Sequence, residues 1–251
     1  LVCGVAGLHG MFNAVTPTLT GTPTPRDFRL SATDLLKNYL FSVLARGPQS
    51  QQEMDDLERR WEGMVGRLGS ESFPDFLRMH WNSRHGFARQ SELFKIIRSS
   101  VRDRGQVFGL LREMDEDMDA YLALIHPEAA QWSADCRRSA QELRMFSVRQ
   151  PYPMLMAAKR RLSDGDFEGL IAATAVIAFR YNVIGSQAPN EQERVYHAVA
   201  LQLHRGELAA LGPVLGRLGE NVVAEGGRDD ETRGIGRAER VERVRRRRAP
   251  P

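Results

Sequence analysis

Six histidines, two cysteines and one run of carboxylates are the residues of this chain whose types could do chemistry, and their spacing decides how much. His80 and His85 stand five apart. That offset puts them on different helix faces, unlike the i, i+4 pair that grips zinc, so both read as ordinary surface or half-buried histidines. His197 and His204 share a face, but no nearby cysteine or suitably spaced carboxylate completes a metal site. His126, followed by Pro127, lacks the opposing metal-binding residues of a His-metal nuclease and reads as a helix end; His9 stands alone. The run "DEDMD", Asp115 to Asp119, has no central glycine of a calcium loop and reads as a solvated helix face. Cys3 and Cys136 are too few for a disulfide framework or an all-cysteine zinc site, and a cytoplasmic compartment is the default expectation. "AEGGR" lacks the lysine and following helix of a phosphate-binding loop, and no G-x-S-x-G elbow occurs. On these grounds no catalytic residue, metal site or cofactor is expected within the chain.

The bulk composition points the same way. At 251 residues with 42% hydrophobic and 27% charged residues, the chain has the make-up of a soluble globular protein able to bury a sizeable core. The longest apolar run, Leu170 to Phe179, is about half the roughly 20 residues a membrane span needs and reads as a buried helix. The apolar start lacks a basic leader and makes a poor signal peptide. Nine of the 35 basic residues and six of the 32 acidic ones lie in residues 224–251, which leaves 26 of each sign before them. The net charge of +3 therefore belongs to an Arg-rich tail. Its expected nucleic-acid binding is weak, unspecific and strongly salt-dependent.

The elements that must position any site are helices. "RLSATDLLKNYLFSVLARGP" opens with Ser31 as an N-cap and Asp34 three residues on; Leu35, Leu36, Tyr39, Leu40, Val43 and Leu44 then form one apolar stripe that Gly47-Pro48 stops. A second helix is expected from about Gln51 to Leu68, with Met54, Leu57, Trp61, Met64 and Leu68 inside. "FPDFLRMHW", "SELFKIIRSSV" and "VFGLLREMDEDMDAYLALI" continue the three-to-four rhythm, and Pro151 and Pro153 mark a boundary around Tyr152. Ser163-Asp-Gly-Asp166 opens the most apolar helix, expected to reach about Ile184 and end at Gly185. "NEQERVYHAVALQLHRG" places Val195, Val199 and Leu203 together and stops at Gly206. A last helix, "ELAALGPVLGRLG", is weakened in its middle by Gly212-Pro213. No stretch alternates long enough for a strand. The expectation is an all-α irregular multi-helix bundle of about eight to ten helices over residues 30–219, with a possible subdivision near Gln131. It lies between an irregular leader, 1–29, read as out of frame, and a disordered tail, 220–251.

Three phrases, "LSATDLLKNYLFS" (30–42), "MFSVRQPYPMLMAA" (145–158) and "AFRYNVIGSQAPNEQERVYHAVA" (178–200), resemble in that order the helical region of a bacterial family of modification-dependent restriction and anti-phage proteins, the GmrSD type. The resemblance covers roughly Leu30 to Gly219. It implies a ParB- and sulfiredoxin-like domain with an Asp-Gly-Gln-Gln-Arg motif for nucleotide hydrolysis, and a distal His-Asn-His nuclease that cuts DNA containing modified cytosine. Neither that motif nor a Glu-His-x-x-Pro sequence occurs here. The chain is then expected to be the helical part that joins two such domains, without hydrolase activity of its own. Nucleotide and divalent metal belong to the full-length family. Asp34, Lys37 and Asn38 match the family's "DLLKNYL" phrase, which implies a nucleotide-facing surface, although capping and packing account for the same residues. Arg180, Tyr181 and Asn182 match "RYNVIG" and are expected to pack at a helix end. Two other readings stay open: a free-standing helical module that binds a partner nuclease subunit, and a protein that binds nucleic acid through its tail.

Overall fold

In a computed structural model, which describes residues 32–46, 51–180 and 189–219, the chain is built from helices, with no strand among the described residues. They are α1 (Ala32–Leu44), α2 (Gln51–Leu68), α3 (Phe73–Asn82), α4 (Gln90–Ser100), α5 (Arg104–Ile125), α6 (Ala134–Met145), α7 (Tyr152–Arg161), α8 (Asp164–Ala178) and α9 (Pro189–Arg205), with α10 over residues 211–219 and a short 3-10 turn at Pro127–Ala129. The Ser31 cap, Gly47-Pro48, Tyr181, Asn182, Ile184, Gly185, the leader 1–29 and the tail 220–251 lie outside the described residues.

Local sequence sets the helix starts. Ser72, Ser133 and Ser163 each accept a backbone N–H at the third helical position, from Asp75 (3.3 Å), Cys136 (3.2 Å) and Asp166 (3.2 Å). Asp103 and Gln106 close a reciprocal capping box at the start of α5. Pro74 and Pro153 sit in first turns, where a missing amide hydrogen costs nothing. Pro213 does the same. It is the third residue of α10, so Gly212-Pro213 opens the last helix and does not weaken its middle.

The helix α7 explains the packing. Every residue from Tyr152 to Ala158 is buried, and a helix apolar all round must be enclosed. It is packed most extensively against α9, and also against α3, α5 and α8; α6 pairs with α8. One hydrophobic cluster runs from Leu36 to Leu218. In α1 the stripe is narrower than its sequence suggests: Leu36, Leu40, Val43 and Leu44 are buried, but Leu35 faces solvent. The half-buried Tyr39 sends its hydroxyl to the carbonyls of Val101 (2.5 Å) and Arg98 (2.9 Å), which seals the end of α4. Arg161 leaves α7 to donate to the carbonyls of Leu203 (3.1 Å) and His204 (3.0 Å), covering the last turn of α9. Beyond that turn the chain reverses at Gly206, whose φ of 78° suits glycine. No helix among the described residues is long and apolar enough to cross a membrane.

Candidate functional site

The strongest concentration of polar chemistry lies where α3, α5 and α7 meet, around the fully buried carboxylate of Asp117. On α5, Val107, Leu110, Leu111, Met114, Met118 and Tyr121 are buried, and residue 117 falls on that inner stripe. Asp117 is therefore carried into the core by helix geometry. "DEDMD" is not a solvated face throughout. Asp115 and Asp119 are exposed and share Arg67 of α2, with Asp115 at 2.6 Å, and Glu116 is exposed too; of the four carboxylates only Asp117 turns inward, beside the buried Met118.

Several donors converge on that carboxylate. His80 Nδ1 lies 2.6 Å from Oδ2, Arg84 Nε donates to Oδ2 at 2.9 Å and Arg84 Nη2 to Oδ1 at 3.2 Å, and Arg160 Nη1 donates to Oδ1. Ser83 is buried between the two arginines' elements. Its hydroxyl donates to the His80 carbonyl at 2.8 Å, and its carbonyl accepts from Arg160 Nη2 at 3.0 Å. Glu116 takes a further hydrogen bond from Arg84 at 3.0 Å, at the solvent edge. Burial by itself would raise the Asp117 carboxyl's pKa; the hydrogen bond and charge of His80, with Arg84 and Arg160, outweigh it and hold the group well below the usual carboxylate range. His85 and His204, which border the same cations, are both lowered, in each case first by burial and then by neighbouring positive groups, His80 beside His85 and Arg160 beside His204.

His80 is thus neither a surface nor a half-buried histidine. Its ring is fully buried, stacks near Phe76 with centroids 6.1 Å apart, and leaves Nε2 without a hydrogen-bond partner. A histidine held by an aspartate through Nδ1 is the arrangement that orients a general base, but a base must reach its proton. Here Nε2 has no exposure and the aspartate is filled by two guanidinium groups. The arrangement is an electrostatic clamp that fixes three helices at one point. Cys136 is buried, and burial pushes its thiol up to about 11, away from the thiolate form.

The residues singled out by sequence stand elsewhere. Asp34 and Asn38 are exposed on α1, and Lys37 spans to Glu58 of α2 at 3.5 Å with its ammonium 5.8 Å from the Phe41 ring centroid. The three share a stretch of α1 and join no part of the Asp117 cluster. Arg180 is exposed at the end of its described segment. His126 lies near Glu71 (3.4 Å) and Glu128 (3.7 Å), and His197 Nε2 donates to the His85 carbonyl at 2.9 Å. Among the described residues no three histidine, cysteine or carboxylate side chains are grouped as a metal site. Sequence spacing missed the clamp because its members lie 37 and 43 residues apart along the chain. The one signal was a charged residue on an otherwise apolar helix stripe.

Compared with protein-family models, with curated proteins and with solved structures, the chain gives no match.

Proposed function

We propose that this chain is the helical portion of a restriction-like defence protein of the GmrSD type, joining a ParB-like, nucleotide-dependent domain to a His-Asn-His nuclease domain. The observation that carries the reading is where the three family-like phrases fall. The first lies on α1, whose Leu36 and Leu40 are fully buried; the second covers the enclosed part of α7; the third runs into α9, where Tyr196, Val199 and Ala200 are buried. The helices that carry the second and third, α7 and α9, pack directly on each other. Phrases of that kind make a rigid body, and a connector between a sensing and a cutting domain needs one so that a change at one end is transmitted to the other. The Asp117 clamp stiffens the same body, because it ties α3 and α5 to α7 with charged hydrogen bonds.

The purified chain should turn over no nucleotide and cleave no DNA, modified or unmodified, with magnesium or manganese present. Steady nucleotide turnover, or metal-dependent cutting of DNA containing modified cytosine, would contradict the assignment. Either activity would have to be lost on mutation of a residue in this chain to rule out a contaminant.

A further inference from the structure

A cavity of about 560 Å³ opens between the start of α4 and the first turns of α9. Three arginines line it. Arg78 is already occupied, paired with Glu193 at 3.1 Å across the seam between α3 and α9. Arg89 and Arg194 are exposed, and neither guanidinium has a hydrogen-bond or ion-pair partner among the described residues. Glu92 is the one other acidic residue in the lining, so the wall keeps an excess positive charge.

Two further features bear on what such a wall would take. Helix α4 starts just after Arg89, its N-cap residue, without a side-chain cap, and Arg89, Gln90 and Glu92 all line the cavity, so the positive end of the helix dipole adds to the charge of this wall. The ring of Phe87 is 43% exposed, which is uncommon for a large aromatic, and meets the ring of His197 edge-on with centroids 5.5 Å apart. His197 is in turn fixed by its bond to the His85 carbonyl, so the aromatic surface is held in place. Unfilled cationic donors beside a fixed, open aromatic face suit a phosphate group attached to a planar ring.

We infer that this cavity binds such a ligand, the phosphate between Arg89, Arg194 and the start of α4, and the ring against Phe87. A ligand free in solution and a unit of a single strand present the same chemistry, and the titration below separates them. This inference stands apart from the proposed function. It uses none of the α1 positions for which the resemblance implies a nucleotide-facing surface.

The test is a calorimetric titration of the full chain at low salt with inorganic phosphate, phenyl phosphate, a nucleoside monophosphate and a short single-stranded oligonucleotide. Phenyl phosphate and the monophosphate should bind more tightly than inorganic phosphate. Arg89→Gln and Arg194→Gln should each weaken them about tenfold, the size expected for losing one charged hydrogen bond. Phe87→Ala should remove the advantage of the ring and leave inorganic phosphate unaffected. Both arginines are exposed and unpaired among the described residues, so thermal unfolding of these variants should match the parent. A strand that binds more tightly than the monophosphate identifies the strand as the source; equal affinity identifies the free ligand. Absence of saturable binding of every probe at millimolar concentration would overturn the inference. So would binding that persists unchanged in the Arg89→Gln, Arg194→Gln double variant, or that is lost equally in Arg59→Gln, an exposed residue outside this cavity.

Discussion

Replacing Asp117 by alanine should destabilise the protein by about 3–5 kcal/mol, the size seen when one partner of a buried ion pair is removed. The loss is large because of what remains. Arg84 and Arg160 would face each other without the carboxylate between them, with side chains only 7% and 20% exposed, and His80 would lose the acceptor of its Nδ1. Domains of ordinary stability have about 5–15 kcal/mol in total, so the variant should unfold at far lower urea concentration. A loss below about 1 kcal/mol, within the range of exposed ion pairs, would show that the cluster is not a buried clamp. The pH dependence follows from the same group. Its folded-state pKa is depressed, so its contribution is fully present above the unfolded aspartate value of about 4 and is lost as pH falls through the folded value. Stability of the parent chain should therefore decline below about pH 4, and Asp117→Asn should flatten that decline.

The second large effect is expected in α7. Leu155 has no exposure and sits on a helix enclosed by α3, α5, α8 and α9, so Leu155→Ala removes three heavy atoms from a wall with little room to collapse. The expected cost is about 2–5 kcal/mol, measured by chemical unfolding. Leu35→Ala is the internal comparison. Leu35 is 40% exposed on α1, and its truncation should cost less than about 1 kcal/mol. Equal losses at the two positions would contradict the burial that defines the core.

The helices were legible in the sequence because their signals are local. A three-to-four apolar rhythm, the Ser163-Asp-Gly-Asp166 opening of α8 and the proline boundary around Tyr152 each act within one or two turns; the caps at Ser72 and Ser133 emerge only in the structure. The site was not legible, since its members come from three helices. "DEDMD" looks solvated by composition, and only its phase against Met114, Met118 and Tyr121 shows that residue 117 must turn inward. The run Lys159-Arg160-Arg161 is a sharper case. Three adjacent cations in the last turn of α7 look like charges placed for the helix dipole. Packing sends each to a different partner. Lys159 pairs with the exposed Asp164 at 2.6 Å, Arg160 enters the clamp, and Arg161 covers the last carbonyls of α9. Composition cannot separate those roles, because they depend on which neighbouring helix each side chain meets.

The proposal that this is the helical part of a larger restriction protein is tested most directly at the DNA. The sequence flanking the coding region should be determined on both sides and read in all frames. The expected result is an Asp-Gly-Gln-Gln-Arg type motif upstream and a Glu-His-x-x-Pro type sequence downstream, in frames that rejoin residues 30–219. An uninterrupted frame that extends to both sides without either motif, and without one in any other frame, would contradict it.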